Sequence, residues 1–158
     1  MRAFISHASR DELAVDVVRE QVHALGVEVY LAEHDQRAGE RLSQKVEKAL
    51  RESDIVIAVL TPAGYDSRYV QQELGLARGT GRLVVPLVHP AIVGEDLGLL
   101  NDIEYIVFDP SRPQEGLASL TERVAFLARQ QHAREDLTWA AIAIVGAMVL
   151  LYVSQTSS

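Results

Sequence analysis

Two stretches, Ile55–Leu60 and Leu83–Val88, constrain this chain most. Each is apolar throughout and carries no alternating polar face. A strand with one wet face alternates; a strand covered on both faces need not, and that pattern belongs to parallel sheets sandwiched between helices. Between and around these strands the spacing of apolar residues is helical.

Residues 3–6 read as a first short strand. Residues 11–25 follow as a helix, with Ala14, Val17, Val18, Val22 and Leu25 on one face and Gly26 in the position that ends it. Residues 27–31 are β-branched and aromatic, hence strand two. Residues 33–41 form a polar loop containing Gly39, and residues 42–50 a helix with Val46, Ala49 and Leu50 inward. A helix over 68–78 is stopped by Gly79 and Gly81. Residues 90–102 are loop or short irregular helix, 104–108 a last strand and 114–134 a last helix. Strands alternating with helices predict an α/β fold with a five-stranded parallel sheet, in the flavodoxin-like order 2-1-3-4-5. In that order ligands bind beyond the carboxyl ends of strands one and three. Those ends carry Ser6-His7-Ala8-Ser9-Arg10 and residues 61–67.

The helix that follows strand three points to the same place. Ser67 is its N-cap candidate. Its apolar stripe runs Val70, Leu74, Ala77, and Glu73 lies in register beside that stripe. A carboxylate there is paired, partly desolvated, or turned into a cleft, because an unpaired buried charge is costly. Tyr69 precedes Glu73 by one turn on the same face. A structural alternative is that Glu73 pairs with an arginine such as Arg10.

Several chemistries are disfavoured. The net charge of -7 argues against a nucleic-acid partner, which needs a basic face. The chain has no cysteine, which removes disulfides and thiolate zinc sites. His7, His23, His34, His89 and His132 lack the spacing of a helical metal site, so no metal is expected. Gly79-Thr80-Gly81 lacks the spacing and lysine of a phosphate loop. Ser6-His7 and Thr61-Pro62 stand where a phospho-receiver needs acids. Ser6, Ser9 and Ser67 near His7 do not make a triad, since no acid is spaced to orient the histidine. A single carboxylate beside an aromatic ring suits cleavage of a glycosidic bond whose leaving group departs unaided, through an oxocarbenium-like transition state. Nicotinamide leaving NAD+ as a neutral ring is such a group.

Phe4-Ile5-Ser6-His7-Ala8-Ser9-Arg10-Asp11 resembles the first box of Toll/interleukin-1 receptor (TIR) domains, particularly bacterial ones. Val29-Tyr30-Leu31 through Gly39 resembles their second strand and BB loop. Ser67-Arg68-Tyr69-Val70-Gln71-Gln72-Glu73-Leu74 is similar to the serine, aromatic and glutamate pattern of the NAD-cleaving members. The likeness covers residues 1–129, within a TIR domain expected over 1–131. It implies NAD+ as substrate with no separate cofactor and Glu73 as the catalytic glutamate. It further implies an NAD-binding set of Ser6, His7, Arg10, Arg37, Gly39, Ser67 and Tyr69. Self-association through the BB loop and a setting in prokaryotic antiviral defence are implied as well. Four positions depart from the pattern: Tyr69 for tryptophan, Val70 for cysteine, Ala32 for aspartate and Arg10 for an acid. A non-enzymatic adaptor and a membrane-disrupting effector are the alternatives.

Residues 137–158 hold no charged side chain, and 137–153 are nearly all apolar. A run of that length is at the short end of what spans a bilayer. Trp139 and Tyr152 lie near its ends, and Arg123, Arg129 and Arg134 precede it, which predicts a single-pass anchor with the N-terminal domain in the cytoplasm. Residues 132–136 would be juxtamembrane and 154–158 a short tail. The alternative is a buried helix of a soluble fold.

Overall fold

The computed structural model of the chain describes residues 1–31 and 44–156, and of residues 135 and 140–156 the backbone alone. The strands are β1 (Arg2–Ser6), β2 (Glu28–Leu31), β3 (Ile55–Leu60), β4 (Leu83–Val88) and β5 (Ile106–Val107). They form one parallel sheet in the order β2-β1-β3-β4-β5, as expected from the sequence. All six residues of β3 are buried, which is why that strand shows no alternation. Its neighbours pair in register, Ile5 with Ile57 and Ser6 with Ala58 on one side, Ala58 with Pro86 on the other.

The helices are α1 (Glu12–Ala24), α2 (Gln44–Glu52), α3 (Pro62–Tyr65), α4 (Arg68–Gly79) and α5 (Gln114–Thr156). Helix α1 buries Ala14, Val15, Val18 and Val22 and ends at Gly26, whose φ of 75° is open to glycine at little cost. One core cluster joins Phe4, Val56, Ala58 and Leu60 of the sheet to Val46 and Leu50 of α2 and to Val70, Leu74 and Ala77 of α4. The rings of Phe4 and Tyr30 stack at 5.6 Å across β1 and β2.

The structure differs from the sequence reading at several places. Residues 62–65, given no element by the sequence, form the short helix α3. Thr61 caps it and Pro62 opens it, with the missing proline donor falling where no partner is needed. Helix α4 runs through Gly79 and is stopped by Gly81 alone. Arg82 N–H donates to Ala77 O and Gly81 N–H to Arg78 O, a Schellman closure around the positive φ of Gly81. Strand β5 is shorter than expected: Ile106 and Val107 pair in register with Leu87 and Val88, and Phe108 adds a single N–H bond to Val88 O at 2.9 Å. Helix α2 is described over Gln44–Glu52 and ends two residues beyond the expected Leu50; residues 42 and 43 lie outside the described residues. Residues 90–102 are as expected, loop with short irregular helix: two 3-10 turns, Pro90–Ile92 and Gly98–Leu100.

Residues Met1–Val124 make one compact unit and Ala125–Ser158 a second. In the second, the backbone of 137–153 is helical, and Leu137 and Trp139 are exposed. No helix of the described residues is long and apolar enough to cross a membrane; the side chains of residues 140–153 of the expected span lie outside the described ones.

Candidate functional site

Among the described residues the buried polar side chains are Ser6, His7, Ser53, Thr61 and Glu73. Four of these five gather where β1 and β3 end, at the crossing point of the topology. Ser53 is at the opposite end, where its hydroxyl donates to Ala49 O of α2.

Ser6 is the last residue of β1, and both it and Glu73 have no exposed surface. Helical register brings Glu73 inward from α4, between Val70 and Ala77. Ser6 Oγ donates to Glu73 Oε2 at 2.5 Å. Burial pushes the Glu73 carboxyl from 4.5 up to about 8, against the opposing effect of the Ser6 hydrogen bond. At neutral pH this carboxyl is therefore mainly protonated. A carboxylic acid kept near neutrality is what proton-linked and charge-stabilising chemistry uses.

Ser67 caps α4, its hydroxyl accepting from Val70 N–H at 3.4 Å. Its predicted capping role holds, and that duty engages the hydroxyl. Tyr69 is half-buried, one turn ahead of Glu73. His7 is buried, with Nδ1 3.4 Å from Ile5 O. Arg10 is exposed and makes no ion pair among the described residues, so the suggested Arg10–Glu73 pair does not form. Arg37, Gly39 and the loop 33–41 lie outside the described residues, as does Ala32.

Arg10 instead lines an open groove of about 600 Å³ with Ser9, Asp11, Leu13, Thr61 and His89; Ser6 and Glu73 do not line it. The groove shares its floor with a latch the sequence reading missed. Thr61 Oγ1 donates to Asp11 Oδ2 at 2.7 Å and accepts from Gly64 N–H at 3.1 Å. The latch ties the segment after β1 to the end of β3. Gly64 sits against β3 so closely that a Cβ there would lie 2.4 Å from Val59 O. The Thr-Pro pair was a readable helix-start signal. The bond from Thr61 to Asp11 was not readable, since it spans 50 residues. Among the described residues no group of three or more His, Asp or Glu side chains is placed to hold a metal ion.

Comparison with known proteins gives a consistent picture. The family model for the TIR domain matches residues 3–121. A probable 2′ cyclic ADP-D-ribose synthase of Brachypodium distachyon is 24% identical over 88 residues, 54% of this chain and 39% of the relative. The chain thus spans about two fifths of that relative's length. The structure of a CMP N-glycosidase of Clostridium botulinum superposes with a TM-score of 0.54 at 20% identity, over 76% of this chain and 98% of that one. The TIR domain of a Toll-related receptor of Hydra magnipapillata does so with a TM-score of 0.51 at 19% identity, over 65% and 80%. At these identities the two structures speak for the fold. With the match of the family model over most of its length, this chain belongs to the TIR domain family.

Proposed function

We propose that the chain cleaves the nicotinamide–ribose bond of NAD+, with Glu73 as the reacting carboxylate. One observation carries this reading: a fully buried glutamate, held near neutrality and hydrogen-bonded by Ser6, at the crossing point of the sheet. Such burial costs stability, and a fold retains it where the group has work to do. The probable 2′ cyclic ADP-D-ribose synthase named above is named for an ADP-ribose product, and the fold neighbour for cleaving an N-glycosidic bond; both names support this chemistry here.

NAD+ brings its own charge to the site. The pyridinium ring favours the ionised form of a nearby carboxyl and lowers its pKa on binding. The C1′–N bond then breaks with its electron pair passing to the ring nitrogen, and nicotinamide leaves neutral. The Glu73 carboxylate stabilises the positive charge left on the ribose. Water attacking C1′ gives ADP-ribose and a proton; attack by a hydroxyl of the same molecule gives a cyclic product. NAD+ is the substrate, and no separate cofactor or metal enters the scheme. His7, Arg10, Tyr69 and the loop residues Arg37 and Gly39 are proposed to bind NAD+. Ser67 is proposed to contribute by capping α4.

The test is nicotinamide release by purified full-length protein beside Glu73→Gln. The variant keeps the shape of the side chain and an acceptor for Ser6, so it should fold. Release should drop by about a hundred- to a thousandfold, the scale of losing a central charge-stabilising group. Full turnover by Glu73→Gln would remove the assignment.

A second reading is favoured by the same burial. A glutamate with no exposed surface also suits a non-enzymatic scaffold that binds other TIR domains. Absence of nicotinamide release from assembled wild type would favour it. Self-association is proposed to run through the TIR domain and its loop 33–41. Residues 137–153 are proposed as a single-pass anchor to the bilayer with the TIR domain on the cytoplasmic side; exposed Leu137 and Trp139 support an apolar surrounding for that segment.

A further inference from the structure

We propose that Ser6 is a positioning residue for Glu73: its hydroxyl orients the carboxyl and makes its ionisation accessible, and it does this in place of contacting NAD+. The inference rests on the reading of Glu73 as the reacting carboxylate.

The geometry carries it. Ser6 closes β1, an interior strand of the sheet that pairs with β2 on one side and β3 on the other. Its backbone is fixed by pairing with Ala58, and its side chain has no exposed surface. Its Oγ donates to Glu73 Oε2, at 2.5 Å, across 67 residues of sequence. A hydroxyl held on a central strand is a rigid donor, unlike one on a loop. A donor aimed at a carboxylate stabilises the charged form more than the neutral one. Without it, burial acts on Glu73 unopposed by this bond, and the carboxyl ionises only at higher pH.

Among the described residues, few other ionisable groups compete for this role. Of the elements packed against α4, β3 and β4 carry none, β1 carries Arg2 at its far end, and α3 carries Tyr65. Helix α2 turns Val46 and Leu50 inward, and its Lys, Arg and Glu side chains are exposed or half-buried. His7 follows Ser6, and Tyr69 precedes Glu73 on α4. These two are the titratable neighbours in chain, and both remain in the test proteins.

The experiment is the pH profile of nicotinamide release by full-length wild type, Ser6→Ala and Ser6→Thr, with kcat and KM separated. In Ser6→Ala the ascending limb should move up by about one pH unit, and kcat at pH 7 should fall about tenfold, with KM within about twofold. The deficit should shrink toward pH 9, where both proteins are ionised. Ser6→Thr keeps a hydroxyl on a strand that favours β-branched residues and should restore the wild-type limb. Should Ser6→Ala fail to fold by circular dichroism, Ser6→Cys replaces it, being close in volume and a weak donor. The same upward movement is then expected. An unmoved limb, an equal loss of kcat at every pH, or a rise in KM alone overturns the proposal. These results differ from failure of the underlying reading, which shows as full turnover by Glu73→Gln.

Discussion

The two ends of the sheet treat carboxylates in opposite ways. At the amino end, Arg2 meets Glu28 at 3.3 Å and Glu52 at 3.2 Å, and its backbone N–H donates to Asp54 at 2.7 Å. Glu28 and Glu52 are at the surface, where water and the Arg2 guanidinium share the charge, and Asp54 is half-buried. At the carboxyl end, Glu73 is enclosed and its described hydrogen bond is to a neutral hydroxyl. An exposed pair contributes at most about 1 kcal/mol, and its loss is tolerated. A buried carboxyl changes its ionisation instead, and destabilises the fold whenever it is made to ionise. The amino end is built for indifference to composition, and the carboxyl end holds a group whose state matters.

The largest effect that sharpens this contrast is on stability against pH. Below pH 4.5 Glu73 is protonated in folded and unfolded chains alike. As pH rises from 4.5 to about 8 the unfolded chain ionises while the folded one does not, so stability falls; above about 8 the fall levels off. The full difference corresponds to roughly 5 kcal/mol. Glu73→Gln cannot ionise and should lack this decline, so denaturant midpoints of the two proteins should separate as pH rises. Asp96, Asp102 and Asp109 are held below the usual carboxylate range by Asn101, Arg78 and Ser111 respectively. They act with the opposite sign as pH falls through their folded values, and they are common to both proteins. Parallel curves for wild type and Glu73→Gln would break the contrast.

A middle-sized effect belongs to the latch. Thr61→Val keeps the shape and removes a hydroxyl that both donates to Asp11 and accepts from Gly64. A loss of about 1–3 kcal/mol is expected, because the buried Gly64 N–H is left unsatisfied and half-buried Asp11 loses its donor. The smallest belongs to the amino end, where Arg2→Ala should cost under about 1 kcal/mol by chemical denaturation. If Arg2→Ala proves costlier than Thr61→Val, the ranking of the two ends is reversed.

Much of this was legible in the sequence for local reasons. Ile55–Leu60 announces a strand covered on both faces because every one of its residues is apolar. Ser67 announces a helix start, and the spacing of Val70, Leu74 and Ala77 turns Glu73 inward with them. Gly26 marks the end of α1 because its positive φ suits glycine. What local patterns do not hold is pairing across the fold. Nothing near Ser6 says that its hydroxyl meets Glu73, and nothing near Asp11 says that it meets Thr61. The last strand is shorter than residues 104–108 suggest, because only Ile106 and Val107 pair in register with β4. Gly79 was overread as a stop because it is glycine; the chain turns at Gly81, where the helix carbonyls find their donors.

The most direct test of Glu73 as a buried, reacting carboxyl is the pH dependence of kcat/KM for nicotinamide release by the full-length protein. Wild type should rise about tenfold per pH unit below neutrality and level off near pH 8, following ionisation of Glu73 in the free protein. Glu73→Gln should stay at background throughout. A wild-type rate that is flat from pH 5.5 to 9, or a Glu73→Gln profile that follows the wild type, would contradict it.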